Sequence, residues 1–453
     1  MVRTKEMTSG DPLPIILSFS IPLILGNLLQ QTYSLIDAAI VGRFLGINSL
    51  ASVGASGSVI FLILGFCGGC CSGFGIPVAQ KFGAKDYLTM RRLVAVSLKL
   101  AAIMSVVLAI ITSLMCSSIL RWMQTPDTIF DDAYRYLLIT FISIPATFFY
   151  NLLSCIIRAL GDSKTPFLFL LISTLLNITL DLLFILVFHW GVAGAAIATL
   201  VAQCVSGILC YRYMYRKYEI LHTLPNDRKF RPELAKELLL IGTPMGLQFS
   251  ITAVGSIMMQ SANNSLGTAC IAAYTAGIRI KMFFLCMVES IGIAMATYCG
   301  QNYGAGKPER IWQGVKSAAL IMAIYVIIVN LVLWNFSEEF TSLFVDANEH
   351  EIIEKTALFL HVSASFFPFL GILCILRYSI QGAGFTRLAL FSGVSEMFAR
   401  ILISLVAVPI WGYWAICFGD SFAWICAVAF LIPAFGFVYK KLLRIVEKKE
   451  IQA

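Results

Sequence analysis

Charged residues are scarce in this chain. Only 13% of its 453 residues are charged, whereas 59% are hydrophobic and the mean hydropathy is +0.84. A soluble domain carries about twice that share of charge, and it could not bury so much apolar surface while covering itself with polar groups. The composition therefore excludes a cytosolic enzyme, a disordered scaffold and a nucleic-acid binder. It leaves a polytopic membrane protein.

Catalytic and metal-binding patterns are also lacking. The four histidines are scattered, and the apolar runs contain neither a paired His/Glu metal motif nor Gly-x-Ser-x-Gly, so an enzyme is not expected. The 13 cysteines lie mostly within apolar segments, where cysteine serves as a small hydrophobe. Cys67-x-x-Cys70 has redox or metal spacing, but no second pair accompanies it. No disulfide framework and no cofactor are expected.

Twelve apolar runs are long enough to cross a membrane, for which a helix needs about 20 residues. They cover roughly 13–42, 50–80, 93–116, 133–157, 166–188, 191–215, 236–261, 270–300, 313–335, 353–380, 388–408 and 412–439. The first run continues into the second, so no cleavable signal peptide is expected. The sequence therefore predicts an all-α protein with twelve transmembrane helices.

Basic residues are concentrated in alternate loops and at both ends of the chain, although the net charge of +8 forms no continuous patch. The positive-inside rule then places both termini in the cytoplasm. The predicted cytoplasmic loops and ends carry Lys81, Lys85, Arg91, Arg92, Arg158, Lys164, Arg377, Arg387 and the clusters in 212–236, 307–316, 3–5 and 440–449. The opposite loops hold few basic residues, and the loop near 337–354 is acidic.

The chain repeats itself at an offset of 221 to 223 residues. Gln80, Gly83 and Ala84 recur as Gln301, Gly304 and Ala305, and the same offset relates Trp190-Gly191 to Trp411-Gly412, Pro22 to Pro244, and Gly161 to Gly384. Each half holds six spans, an even number, so both halves enter the membrane in the same sense. The expected architecture is two six-helix lobes, 1–216 and 236–453, related by a pseudo-twofold axis along the membrane normal and joined by a cytoplasmic linker, 217–235.

Two parallel lobes of this kind are typical of transporters that work by alternating access. The alternative is that the duplication records only how the fold arose, since fold alone does not fix function.

Four oxygen-bearing side chains of the first lobe fall at a similar depth in the outer half of the membrane. Asn177 and Asp181 share one face of span five, Thr199 lies in span six, and Asp37 lies near the outer end of span one. An ionised carboxylate in the membrane is costly and needs a partner. Two carboxylates, an amide and a hydroxyl can hold a proton or Na⁺. The alternative is four isolated residues, each with a local hydrogen-bond partner.

Several motifs make the sequence similar to the MATE (multidrug and toxic compound extrusion) transporters along essentially its whole length. They are Pro22 with the Leu-Leu-Gln-Gln run 28–31, the Asp-Ala-Ala-Ile-Val-Gly-Arg run 37–43, the repeated Gln80 and Gln301 motifs, Arg-Ala-Leu-Gly-Asp at 158–162, Asn-Ile-Thr-Leu-Asp at 177–181, and Gly-Val-Ala-Gly-Ala-Ala at 191–196.

The resemblance implies an efflux antiporter with a cation site at Asp37, Asn177, Asp181 and Thr199, and a bend of span one at Pro22. In a related branch, spans seven and ten of the second lobe carry carboxylates. Here span seven offers Gln248 and Gln260, and span ten has no acid between Leu358 and Gln381, so a second-lobe cation site of that kind is not expected.

Other candidates belong to the substrate cavity, which in MATE-like proteins binds flat lipophilic cations through aromatic and methionine side chains. The expected cavity residues are Gln30, Tyr150, Tyr274, Met287, Glu289 and Glu396. For the two glutamates an alternative stays open, because Arg279, Lys281 and Arg400 are available as ion-pair partners.

The sequence thus predicts a monomeric H⁺- or Na⁺-coupled antiporter of a bacterial cytoplasmic membrane that expels lipophilic or cationic compounds. Carboxylates serve both coupling ions, so the sequence does not choose between them. One alternative is a lipid-linked saccharide flippase of the same superfamily, which needs a basic cavity for pyrophosphate. A channel is disfavoured because no pore motif repeats. Pro22 is either a moving hinge or a static kink.

Overall fold

The protein is almost entirely helical in a computed structural model that describes residues 6–222, 227, 229–346 and 348–452. No strand occurs in these ranges. The helices are α1 Pro12–Leu45, α2 Ile47–Gly83, α3 Tyr87–Trp122, α4 Asp127–Ile142, α5 Ile144–Ala159, α6 Lys164–Leu182, α7 Gly191–Lys217, α8 Pro232–Asn264, α9 Thr268–Gly304, α10 Pro308–Ser342, α11 His350–Gly382, α12 Thr386–Leu402, α13 Val408–Trp411 and α14 Tyr413–Gln452. Two π-helical segments, Leu183–Val187 and Ile403–Ala407, extend α6 and α12.

Eleven helices in the described ranges are long and apolar enough to cross a membrane, and α4 with α5 makes a twelfth if this bent pair is one span. The pair bends by 45°. Pro145 lies in the first turn of α5, where it lacks the N–H needed to continue the hydrogen bonds of α4. The prediction of an all-helical, multi-pass membrane protein is confirmed, and the predicted fourth span is the broken one.

The internal repeat is visible in the backbone. Each π-helical segment is followed by a glycine in the left-handed region, Gly191 with φ +60° and Gly412 with φ +57°, and each glycine begins the turn into the next long helix. An L-residue with a side chain would be strained there. The same irregularities thus recur in the same order in the two halves of the sequence.

The chain divides into two compact units. Among the described residues, the first contains Glu6 and Leu25–Gly246, and the second contains Met7–Ile24 and all residues from Leu247 onward. Helices α1 and α8 are therefore each shared between the units, and each changes unit two residues after a proline, Pro22 or Pro244. The predicted lobes assign each of these helices whole to one lobe, so the compact units differ from them here.

The predicted linker 217–235 is only partly described. Lys217 ends α7, a short 3₁₀ turn covers Glu219–Leu221, and Pro232 begins α8. Residues 223–226 and 228 lie outside the described ranges. The division into two lobes at this segment stays a prediction.

Close backbone contact holds α8 against α2 within the first unit. In lipid the hydrophobic effect adds little between helices, so small residues that allow close approach become important. A methyl group added to Gly73 would come within 2.4 Å of the Gly242 Cα, whereas nothing lies within 4 Å of one added to Gly68, one and a half turns earlier on α2.

We therefore expect Gly73→Ala to push α2 and α8 apart and to lower stability by about 1–3 kcal/mol, as overpacking does in other tightly packed sites. Gly68→Ala is the matched control and should be neutral or slightly stabilising. Thermal unfolding in detergent, followed with a thiol-reactive dye that reports the buried cysteines, measures both. Equal midpoints for the two variants would contradict the close contact.

Candidate functional site

Three helices of the first unit bring together the four residues predicted to bind a cation. Asp37 lies in the part of α1 that belongs to this unit. Asn177 and Asp181 lie one turn apart on α6, just before its π-helical segment. Thr199 lies in the third turn of α7. Asn177 and Asp181 are buried, and Asp37 and Thr199 are half-buried.

The polar groups contact one another directly. The Asn177 amide Nδ2 donates to Thr199 Oγ1 over 3.2 Å, and Thr199 Oγ1 donates to the Ala195 carbonyl, also over 3.2 Å. The carboxyl groups of Asp37 and Asp181 lie within hydrogen-bonding reach of each other. The sequence-based expectation that these four residues lie together thus agrees with the geometry, while their role stays a prediction.

Two tyrosines adjoin the site that the sequence analysis did not identify. Tyr33 Oη lies 3.4 Å from Thr199 Oγ1, and Tyr136 on α4 lies close enough to interact electrostatically with Asp37 and Asp181. Tyr33 is one turn before Asp37, a spacing that could have indicated it. Tyr136 is far from the other members in sequence, and no local pattern marks it.

The arrangement is suited to one monovalent cation. Two carboxylates within hydrogen-bonding reach repel each other when both are ionised, and a proton or a shared cation relieves that repulsion. Carboxylate, amide and hydroxyl oxygens are the hard ligands that Na⁺ accepts, by the same chemistry as other hard cations. The residues present therefore fit a proton or Na⁺.

The predicted cavity residues have diverse surroundings. Gln30 is exposed on α1. Tyr150 is buried and donates to the Pro166 carbonyl over 3.2 Å. Tyr274 is buried and packs edge-on against Phe359 at 5.3 Å, and Met287 is half-buried against the core of the second unit. Their contact with a substrate stays a prediction.

The two glutamates of the second unit are bound differently from each other. Glu289 is half-buried and accepts a hydrogen bond of 2.8 Å from Tyr378 Oη. Glu396 is buried and pairs with Arg377 on α11 and with Arg400 one turn later on α12. The ion-pair alternative therefore describes Glu396, with Arg400 as one of the expected partners.

The sequence analysis is incomplete for two charged residues near Glu396, Arg377 and Asp420. Arg377 was placed in a cytoplasmic loop, which is wrong: it lies inside α11, its side chain is 10% exposed, and its Nε donates to Ser392 Oγ over 3.1 Å. Asp420 on α14 was overlooked among the acids of the spans. Its carboxylate accepts from Arg400 Nε over 2.8 Å and from Lys281 Nζ over 2.5 Å.

The result is a chain of alternating charges that runs through four helices of the second unit: Lys281 on α9, Asp420 on α14, Arg400 and Glu396 on α12, and Arg377 on α11. Each of these five side chains lies next to a side chain of opposite charge. Such pairing offsets the large cost of desolvating each charge.

A family model named MatE matches two segments of the sequence, residues 22–183 and 244–406, which together make up most of the chain. The chain belongs to the MatE family. The two segments begin at Pro22 and Pro244, and so follow the internal repeat. The first contains Asp37, Asn177 and Asp181, and the family resemblance seen in the sequence is confirmed.

Curated relatives are similar over most of their lengths. The chain is 28% identical to YpnP of Bacillus subtilis, described as a probable multidrug resistance protein, over 84% of this chain and 85% of that protein. It is also 28% identical to YoeA of the same organism, described in the same words, over 93% of each. It is 24% identical to NorM of Thermotoga maritima, again a probable multidrug resistance protein, over 87% of this chain and 85% of that one.

Solved MATE structures share the fold. A multidrug resistance MATE family transporter in an outward-facing conformation superposes with a TM-score of 0.91 at 22% identity, covering 98% of this chain and 99% of that one. A MATE transporter in its straight conformation gives 0.87 at 23% identity, covering 99% of each. At these identities the likeness establishes the fold, and the function has to be argued from the site.

Proposed function

We propose that this MatE-family protein is a secondary active efflux transporter that exchanges H⁺ or Na⁺ for lipophilic, often cationic, compounds. The observation that carries the proposal is the polar cluster in which Asn177 donates to Thr199, Tyr33 lies 3.4 Å from the same hydroxyl, and the carboxyl groups of Asp37 and Asp181 lie nearby. The relatives named as multidrug resistance proteins support efflux as the direction and drug-like compounds as substrates.

In the proposed cycle, a cation enters from outside and binds between Asp37 and Asp181. Its charge removes the repulsion between the carboxylates, so α1 packs more closely onto α6 and α7. Residues Pro12–Ile24 of α1 belong to the second unit, and the rest of α1 belongs to the first. Coupling then means that substrate affinity differs between the cation-bound and cation-free packings.

The flippase alternative has less support. Recognition of a pyrophosphate needs unpaired basic side chains in the cavity. In the described part of the second unit, Lys281, Arg377 and Arg400 are each paired with a carboxylate, and Arg279 is exposed.

We further propose that the protein lies in a bacterial cytoplasmic membrane with both termini in the cytoplasm, as the distribution of basic residues favours. Cysteines introduced one at a time test this. A membrane-impermeant maleimide should label Asn348→Cys in intact cells and should reach Asn226→Cys, outside the described residues, only after the cells are opened. Most native cysteines are buried, so background labelling should be low. The reverse pattern would overturn the orientation.

Asp37→Asn should abolish gradient-driven efflux, because an amide can neither release a proton nor supply the negative charge that holds Na⁺. The assay is dye uptake into inverted vesicles, where transport out of the cell becomes transport into the lumen; a pH gradient and a Na⁺ gradient are imposed separately, and the gradient that drives the wild-type protein identifies the coupling ion. Asp131→Asn, an exposed acid of the same unit on α4, is the control and should be active. Undiminished efflux by correctly inserted Asp37→Asn protein would refute the assignment.

Pro22→Ala tests whether α1 acts as a hinge. A proline removes one backbone hydrogen bond within a helix and lowers the cost of bending there. The change of compact unit two residues after both Pro22 and Pro244 supports a hinge. We expect Pro22→Ala to leave the equilibrium affinity for dye in detergent nearly unchanged and to slow coupled efflux several-fold. Equal fractional losses in both measurements would favour a static kink instead.

A further inference from the structure

The second unit contains a counterpart of the cation site. Residues 221 to 223 positions after Asp37, Asn177, Asp181 and Thr199 are respectively Met259, Arg400, Ser404 and Asp420. They lie on the corresponding elements: α8, the end of α12 with its π-helical segment, and the start of α14. The internal repeat therefore predicts that these four residues meet as their counterparts do.

The contacts confirm this correspondence pair by pair. Arg400 Nε donates to Asp420 Oδ1 over 2.8 Å, where Asn177 donates to Thr199 in the first unit. Ser404 Oγ lies 3.2 Å from Met259 Sδ, where Asp181 meets Asp37. The two sites thus share a framework and differ in their side chains.

The chemistry of the second site is altered in a specific way. The pair of acids is replaced by Met259 and Ser404, so the repulsion that calls for an external cation is gone. The second site does contain a carboxylate, that of Asp420, at the position that corresponds to Thr199. It accepts hydrogen bonds from the Arg400 guanidinium and, over 2.5 Å, from the Lys281 ammonium.

The Lys281 ammonium lies in surroundings that suit a bound organic cation. Its Nζ is 4.8 Å from the centre of the Phe359 ring and 5.8 Å from that of Trp424, in addition to the Asp420 carboxylate. A carboxylate with aromatic faces is the chemistry by which proteins recognise ammonium groups. Phe359 and Trp424 are buried, and the Lys281 side chain is 5% exposed.

We infer that the second unit retains a cation site whose cation is the ammonium of Lys281, tethered to the chain and unable to exchange. This inference rests on the proposed function and extends it: the coupling cation binds in the first unit alone, with one cation site per molecule. Lys281 and Arg400 are positioning residues, which keep Asp420 neutralised throughout the cycle.

Chemical rescue tests the tethered cation. Lys281→Ala removes three methylene groups and the ammonium, a gap that propylammonium matches in length and charge. We expect the variant to unfold several degrees below the wild-type protein in detergent, because Asp420 loses a buried partner. Propylammonium should restore most of that loss in a saturable manner, whereas 1-propanol, with the same alkyl chain and no charge, should not.

Two controls separate a specific site from a general salt effect. Lys355→Ala removes an ammonium that pairs with the exposed Glu351 at 2.6 Å, and propylammonium should not change its midpoint beyond the shift seen in the wild-type protein. Asp420→Asn added to Lys281→Ala should abolish the rescue. A folded Lys281→Ala protein that propylammonium stabilises no more than Lys355→Ala would overturn the inference.

A second measurement tests whether the Lys281 ammonium fills the second site without the use of a Lys281 variant. It applies even if Lys281→Ala does not fold in the presence of propylammonium. Purified Asp37→Asn protein should show no saturable binding of ²²Na⁺, because the second site is already filled. Saturable binding that disappears when Asp420→Asn is added would overturn the inference. Neither result depends on transport. A failure of the proposed function would appear as an Asp37→Asn protein that still transports dye, and it can therefore be told apart from a failure of this inference.

Discussion

A carboxylate inside a membrane needs a positive partner, and this requirement organises the polar interior of the protein. On insertion scales an unpaired acid at the centre of a span costs about 2.5–3.5 kcal/mol. The two halves of the sequence meet the requirement differently. In the second unit, arginine and lysine side chains pair with Glu396 and Asp420. In the first unit, the carboxyl groups of Asp37 and Asp181 lie within hydrogen-bonding reach of each other, and in the proposed function a cation relieves their mutual repulsion.

The same helical framework supports both solutions, because the elements that present the side chains are repeated. The π-helical segments after α6 and α12, and the left-handed glycines that follow them, place the end of one span against the start of the next in each half. Asn177 therefore meets Thr199 and Arg400 meets Asp420 through the same backbone relation. The two halves therefore differ in the charge of their polar sites because different side chains occupy corresponding positions on the same backbone.

Much of this could be predicted from sequence, because lipid imposes strong and local rules. The length of the apolar runs indicates the spans, and the depth of Asp37, Asn177, Asp181 and Thr199 follows from helical rise alone. The errors arise where a residue's environment depends on distant helices. Arg377 near the end of a run was interpreted as a loop charge, although α11 continues to Gly382. Tyr136 on α4 joins the site by packing against buried residues of α1 and α7, which no local pattern encodes.

Helices α1 and α8 are each divided between the two compact units, which the sequence alone does not predict. The sequence repeat predicts lobes that are built from whole helices. The compact units instead have their boundaries within these two helices, just after Pro22 and Pro244. The proline within each of these helices lowers the cost of bending close to the point where the helix is divided. The proposed cation site includes Asp37 on α1 beyond Pro22, in the first unit, whereas the paired charges of Lys281, Arg377 and Arg400 lie in the second. If only the first site can change its charge, the second unit keeps one internal electrostatic state throughout the cycle. In the proposed cycle, the free-energy difference between the two packings of α1 then depends on occupancy of a single site, which is the simplest arrangement that couples one cation to one substrate.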